Sequence, residues 1–233
     1  MAKKDYYIIE KNLNRIFRNE PTNFLDPLTY RNVVSKLGKK NYNVYYPYSD
    51  SEKVIIYTKE EPKVSLLELI SPEKLTHRCI MGSLFSLGID NSLFGDIIIT
   101  NNHYYIIVIS TITDLIKNEL KQVGSNHIKV SDANLSILTD YKRVYKELEI
   151  IVSSLRIDNI IATIIGTSRE TIKKEFIDDN VILNYEICHR VNYTLKQNDV
   201  FSIRRHGKYK FDTIIKETKK GNYLVRCYKY IDN

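Results

Sequence analysis

The segment SLRIDNIIATIIGTSRETIKKEFIDDNVILNYEICHRVNYTLKQNDVFSIRR, residues 154–205, decides the fold of the last third of this chain. Its first part has apolar residues at the spacing i, i+3, i+4 and i+7, which are Ile157, Ile160, Ile161 and Ile164. That spacing places one buried stripe on a helix. We expect Gly166 to end this helix and Arg156 to stand near its exposed beginning.

A second helix is predicted to begin at Thr167. The order Thr-Ser-Arg-Glu fits a capping box, in which the Thr167 hydroxyl accepts a hydrogen bond from the backbone N–H of Glu170 and the Glu170 carboxylate reaches back. The predicted apolar face of this helix consists of Ile172, Phe176 and Ile177.

Cationic side chains cluster at the start of this second helix. Arg169 and Lys173 are one turn apart, and Lys174 lies beside them. Cations at a helix N-terminus oppose the helix dipole by roughly 0.3–1 kcal/mol where exposed, and a bound phosphate would relieve that conflict. The alternative is that Glu170 and Glu175 neutralise this face through pairs such as Glu170–Lys174.

Short strands are predicted after the two helices. Residues 180–187 have the pattern of strand, turn and strand, and residues 198–204 that of a turn leading into another strand. Asn180 and Asn198 precede these strands, and asparagine tolerates the left-handed backbone that a tight turn requires. The segment therefore has the order helix, helix, short strands.

This order and its residues resemble the S4 RNA-binding domain. The resemblance rests on Leu155–Asp158, on Ser168 with Arg169, on Val181–Asn184 and on Asp199–Arg204. Tyr185 departs from the family pattern, in which glycine or lysine follows the strand asparagine. The resemblance implies a surface that reads RNA shape and backbone. The predicted RNA-binding residues are Arg156, Ser168, Arg169, Lys173, Lys174, Asn184, and, on the neighbouring strand, Arg204 and Arg205.

The first part of the chain predicts one α/β unit. Helical spacing of apolar residues runs from Ile9 to Phe17, and a second helix is expected near residues 30–37, ended by Gly38. The β-branched run at residues 54–57 predicts a strand.

The middle of the chain predicts the order α-β-β-α-β. A helix over residues 75–87 should end at Gly88, and strands at residues 97–99 and 104–109 should be joined by a hairpin at Asn101 and Asn102. Such an order suits a small open sheet covered by helices on one face.

The second helix of this middle segment is predicted from Thr111 and Asp114, which resemble a capping box, and its end from Gly124. Residues 128–130 complete the order as a strand. The polar stretch 131–148 has apolar residues at helical intervals and is interpreted as a connector.

The full chain resembles the YlmH family of bacterial S4-domain proteins. The resemblance rests on the order of Phe24–Pro27, His77-Arg78 and Gly95–Ile98 and on the C-terminal place of the S4-like segment. It implies an α+β fold with an N-terminal α/β domain (residues 1–70), a central ferredoxin-like or RRM-like domain (71–150) and an S4 domain (151–233). It further implies binding to large-subunit rRNA and to tRNA, and action on stalled complexes carrying peptidyl-tRNA in ribosome-associated quality control. An older association of the family is with cell division.

The charge balance favours an anionic partner. Lys+Arg number 35 against 28 Asp+Glu, a net charge of +7, and residues 151–233 carry +5 of it with 15 Lys+Arg and 10 Asp+Glu. No apolar run approaches the ~20 residues that a membrane-spanning helix needs. We therefore expect a cytoplasmic protein without a membrane partner. We also expect it to be monomeric when free.

The sequence offers no motif for catalysis. It has no glycine-rich nucleotide loop, no metal-spaced histidine pair and no nucleophile motif, so we expect no catalytic residue, cofactor or metal. His77 and Arg78 form a possible second RNA contact, or simply a solvated pair at a helix start. Two other functions remain open: an accessory or catalytic subunit in RNA modification, and a scaffold linked to cell division.

Overall fold

The computed structural model describes residues 3–100 and 102–231. The chain forms two compact units, one up to Arg143 and the other Val144–Ile231. Both contain helices packed on antiparallel sheets, so the predicted α+β class is confirmed. The division into three domains stays a prediction. Within the described residues, no helix is both long and apolar enough to cross a membrane.

The first unit begins with two helices and a two-stranded sheet. The Asp26 carboxylate caps the second helix by accepting from the N–H groups of Leu28 and Thr29 at 3.0 and 2.9 Å. The two strands pair antiparallel, and the second confirms the strand predicted near residues 54–57. These elements are α1 (Lys3–Phe17), α2 (Pro27–Leu37), β1 (Asn43–Tyr45) and β2 (Ile55–Tyr57).

The rest of the first unit contains a four-stranded sheet. Its predicted order α-β-β-α-β is confirmed, except that two short strands also lie between the second helix and the last strand. A strand before residue 71 pairs with two of the predicted strands and lies between them in the sheet. The elements are β3 (Val64–Ile70), α3 (His77–Ser86), β4 (Phe94–Thr100), β5 (His103–Ile109), α4 (Thr113–Glu119), β6 (Gln122–Val123), β7 (Asn126–His127) and β8 (Lys129–Ala133). The sheet order is β4-β5-β3-β8, with β6 and β7 paired separately.

Three local predictions fall in this sheet region. The β4–β5 hairpin is confirmed, with Asn102 at φ 64°, while Asn101 lies outside the described residues. The capping box at Thr111 is wrong, because Thr111 lies in a 3₁₀ turn and α4 begins two residues later without a side-chain cap. Gly124 does not end α4; it occupies the left-handed turn between β6 and β7.

Both faces of the four-stranded sheet are covered. Leu67, Leu69 and Ile106 pack with residues of α3 and α4 on one face. On the other face Tyr105 and its neighbours pack with Phe24, Tyr48 and Leu138, so that Tyr105 is only 6% exposed. The prediction of helices on one face is confirmed, but the opposite face is not open. It therefore offers no platform on which bases could stack.

The second unit is a six-stranded antiparallel sheet with two helices packed on it, in the order β11-β10-β12-β13-β14-β9. The predicted connector 131–148 is corrected here, because its last residues belong to the edge strand β9. The strands are β9 (Tyr145–Val152), β10 (Val181–Leu183), β11 (Glu186–Ile187), β12 (Val200–Ile203), β13 (Gly207–Glu217) and β14 (Tyr223–Tyr230), and the helices are α5 (Ile157–Ile165) and α6 (Arg169–Ile177).

Candidate nucleic-acid interface

Helices α5 and α6 follow each other with only three residues between them. Gly166 ends α5 in the predicted left-handed conformation, at φ 74°. The cap of α6 is Ser168, whose hydroxyl accepts from the Thr171 N–H at 3.1 Å, so the capping box predicted at Thr167 is wrong by one residue. The prediction that Ile177 lies on the buried face of α6 is wrong, because Ile177 is 78% exposed.

The starts of the two helices meet at a buried carboxylate. Asp158, in the first turn of α5, is 0% exposed. Arg156 donates to it from Nε at 3.0 Å and from Nη2 at 2.9 Å, and Arg169 donates from Nε at 3.3 Å and from Nη2 at 2.9 Å. The Arg156 and Arg169 side chains remain 39% and 44% exposed. The structure thus brings together two predicted RNA-binding arginines that lie 13 residues apart in sequence.

Asp158 is charged at neutral pH. Burial alone would raise the pKa of its carboxyl group, but the hydrogen bonds and charges of Arg156 and Arg169 outweigh burial and lower that pKa below its usual range. Two cations and one anion leave this cluster with a net charge of +1. Each guanidinium has five N–H groups and uses two on Asp158, so three on each have no partner within residues 3–100 and 102–231.

The lysines of α6 extend the cationic surface. Lys173 is paired with Glu170 at 2.8 Å, one turn apart, and both side chains are exposed. The alternative of internal neutralisation is thus partly confirmed, with Lys173 rather than Lys174 as the partner. Lys174 is exposed and its side chain forms no hydrogen bond or close ion pair in the described part of the chain, although its charge contributes to the lowered pKa of Glu170. A solvent-exposed pair of this kind contributes little stability and yields readily to another anion.

Arg204 and Arg205 lie in the turn after β12, not on a strand as predicted. Both are exposed, and Arg205 has a left-handed backbone at φ 69°. The Arg204 N–H donates to the carbonyl oxygen of Asn180 at 3.0 Å, and Asn180 follows the end of α6. The two arginines therefore lie at the opposite end of α6 from Asp158.

Asn184, a predicted RNA-binding residue, forms hydrogen bonds within the protein. Its amide donates to the Asp199 carboxylate at 2.8 Å and accepts from the Val200 N–H at 3.0 Å, which ties the β10–β11 turn to β12. Of the two asparagines predicted in left-handed turns, Asn198 has φ 70°, whereas the left-handed residue before β10 is Asp179 rather than Asn180.

His77 and Arg78 are the first two residues of α3 in the first unit. The Thr76 hydroxyl caps that helix by accepting from the Cys79 N–H at 3.2 Å. Arg78 is exposed and His77 is partly exposed. The structure therefore leaves the predicted second contact accessible at a helix start, where backbone N–H groups favour anions.

The pair Gly95-Asp96, on which the family resemblance partly rests, has a packing role. A Cβ at residue 95 would lie 2.9 Å from the Phe24 ring, so only glycine fits there. Asp96 accepts from the Tyr48 hydroxyl at 2.6 Å and from Arg143 at 3.1 Å. Burial, followed by the charge of Asp96, raises the pKa of Tyr48 far above its usual range. These bonds anchor Arg143, at the end of the first unit, to Tyr48 and Asp96.

Sequence reasoning assigned no role to Asp158. The signal was present, because an acidic residue two positions after Arg156 at a helix start can fold back on it. The contact with Arg169 depends on the packing of α5 against α6, which spacing alone does not reveal.

The charge differs between the regions of the chain. Residues 144–231 carry 16 Lys+Arg and 11 Asp+Glu, a net charge of +5, whereas residues 58–137 carry 7 and 9, a net charge of −2. Residues 1–57 carry 10 Lys+Arg and 6 Asp+Glu, a net charge of +4, so the basic surplus is shared between the unit that contains α5 and α6 and the N-terminal part of the chain.

Fold and charge together define an α+β protein with a basic, helix-start surface of the kind that binds nucleic-acid backbones. The family model described as "Putative RNA-binding domain in YlmH" matches residues 58–137. The resemblance to the YlmH family is thus confirmed as a similarity, because this family model matches residues 58–137.

Two individual proteins are similar to the chain. "Ribosome-associated protein quality control protein P2" of Bacillus subtilis (strain 168) is 24% identical over 229 residues, covering 90% of this chain and 86% of the relative. The solved structure of "Cell division protein ylmH from Streptococcus pneumoniae" aligns with a TM-score of 0.49 at 19% identity, covering 60% of this chain and 97% of that structure.

Proposed function

We propose that the protein is a non-enzymatic RNA-binding factor that binds structured rRNA of the large ribosomal subunit, together with peptidyl-tRNA on stalled complexes, in ribosome-associated quality control. The name of the Bacillus subtilis relative supports the ribosomal role. The family description of residues 58–137 supports RNA as the ligand. A cytoplasmic location and a monomeric free state belong to the same proposal.

The proposal assigns the second unit as an S4-type RNA-binding domain. The order α5, α6, β10, β11, β12 and the basic charge of this unit support that assignment. The first unit would then hold the N-terminal and central domains of the predicted three. His77 and Arg78 would supply a second RNA contact from α3.

One observation carries the proposal: two half-exposed guanidinium groups stand together at the starts of α5 and α6. Planar guanidinium groups with spare N–H donors match phosphate oxygens, and the first N–H groups of a helix lack partners within the helix. Ser168 caps α6, and Lys173 and Lys174 lie on the same helix as Arg169. We propose these residues as the main phosphate-contacting surface, with Arg204 and Arg205 at its far end.

The test is binding to purified large ribosomal subunits, measured by co-sedimentation between 50 and 200 mM salt, roughly the range over which phosphate contacts weaken most visibly. Arg169→Ala with Lys173→Ala should raise the Kd about tenfold or more and reduce the dependence of log Kd on log salt by about 1–2. The far-UV circular dichroism spectrum should not change.

A matched control is Lys219→Ala with Lys220→Ala, because both lysines are exposed in the β13–β14 turn and their loss changes the net charge equally. The control should keep most of the affinity. Equal losses in both double variants would show that net charge alone drives binding. Unchanged binding by the Arg169 and Lys173 variant would refute the assigned surface.

A further inference from the structure

Arg156 and Arg169 share one oxygen atom. The Nη2 atoms of both residues lie 2.9 Å from Oδ2 of Asp158, so they are at most twice that distance, 5.8 Å, apart. Phosphate oxygens accept N–H groups of arginine at ~2.7–2.9 Å. The two non-bridging oxygens of a single phosphodiester can therefore contact both guanidinium groups at this separation.

We propose that Arg156, Asp158 and Arg169 form a clamp for one phosphodiester group, in which Asp158 is a positioning residue that never touches the ligand. This inference rests on the proposed function and adds which atoms hold the backbone. It distinguishes a single shared phosphate from two phosphates bound independently by two mobile arginines.

Asp158 holds the two arginine side chains in position before a ligand binds. Two guanidinium groups held side by side repel each other, and two free arginine side chains would lose rotamer freedom on binding. The buried carboxylate attracts both groups and fixes their planes through four hydrogen bonds before any ligand arrives. Preorganisation of this kind increases affinity, because the side chains lose little conformational entropy when the ligand binds.

The carboxylate reduces the charge of the cluster to +1 and so weakens its long-range attraction for a phosphate. The benefit of orientation must exceed that loss for the clamp to work. The two effects can be separated, because removal of the negative charge should strengthen binding if only electrostatics matters, and weaken it if Asp158 positions the arginines.

The experiment uses the full chain and large ribosomal subunits at fixed salt. Asp158→Asn should raise the Kd about tenfold, although it makes the protein more basic. Asp178→Asn is the matched control: Asp178 is exposed at the end of α6, and the variant adds the same charge. Its Kd should stay the same or fall slightly.

A double-mutant cycle tests the shared phosphate independently of Asp158. Arg156→Ala and Arg169→Ala should each raise the Kd about tenfold, and the double variant should stay within about threefold of either single variant rather than reach a hundredfold loss. The salt dependence of the double variant should fall by about 1, as expected for one phosphate. Arg169→Lys should lose most of the affinity as well, because lysine cannot reproduce the two-pronged contact.

The possible failures are distinct. If both arginine variants bind normally, the proposed RNA surface itself is wrong. If the arginine losses multiply to about a hundredfold and Asp158→Asn binds more tightly than the parent protein, the clamp is wrong while the RNA-binding surface remains.

Discussion

The stability of the second unit should depend on Asp158 and on pH. The Asp158 side chain is 0% exposed and accepts four hydrogen bonds from the two arginines and one from the Asn159 N–H at 2.9 Å. Asp158→Asn keeps the shape but removes the charge and points an N–H₂ group at one of the arginines. Breaking a fully buried ion pair costs ~3–5 kcal/mol. Because the arginines are half-exposed and can turn to water, we expect about 1–3 kcal/mol here.

The pH dependence has a definite sign. The folded-state pKa of Asp158 is lowered from its ordinary value of 3.8, which the unfolded chain retains. The stabilisation is therefore fully present above the unfolded pKa and is lost as the pH falls through the folded pKa. The difference between the parent protein and Asp158→Asn should be full at pH 7 and should shrink below about pH 4.

The assay is urea unfolding followed by circular dichroism at pH 7, 5 and 3, with Asp178→Asn as the control for a change of charge. An unchanged m-value would show that the same surface is exposed on unfolding. Two results would refute the reasoning: equal stability of Asp158→Asn and the parent protein at pH 7, or a difference that stays constant down to pH 3.

Two further predictions concern local structure. Asn198 has a left-handed backbone with φ 70°, so Asn198→Ala should destabilise the second unit by about 1 kcal/mol. Asn198→Gly should be neutral or slightly stabilising, because glycine adopts this conformation without strain. Thermal unfolding of the two variants checks this, and equal effects of the two substitutions would contradict it. Asp26→Ala removes the cap of α2 and should lower the free energy of unfolding of the first unit by about 1–2 kcal/mol, as measured by chemical unfolding. Asp26→Asn should lower it less, because asparagine can also cap a helix. An unchanged free energy of unfolding in Asp26→Ala would show that the cap is not needed.

The sequence predicted the elements that have a strong local signal. The isoleucine spacing and Gly166 defined α5, and the strand before Asn101 paired with the strand after it as expected. Local signals failed where two adjacent residues could both cap the same helix. Ser168, rather than the predicted Thr167, caps α6. They also failed for β9, because an edge strand with one row of unpaired backbone groups carries charged residues that mask its alternation.

Long-range contacts were beyond sequence reasoning. The insertion of β3 between β5 and β8 pairs residues that are 35–45 and 59–67 positions apart in the sequence. Phe24 and Tyr48 cover one face of the four-stranded sheet, the kind of face on which an RRM-like domain stacks bases. At the candidate site, the cationic residues were found from their positions at helix starts. Their anchor, Asp158, was not, because burial of a carboxylate is a property of the packed helices.

The central claim is that the surface at the starts of α5 and α6 contacts RNA. Ultraviolet crosslinking in cells, followed by mass spectrometry of the peptide–nucleotide adducts, tests this most directly. We predict adducts in the peptides that contain Arg156 and Ser168–Lys174, and their loss in the Arg156→Ala, Arg169→Ala double variant. Adducts confined to the β13–β14 region, or unchanged in that variant, would contradict the claim.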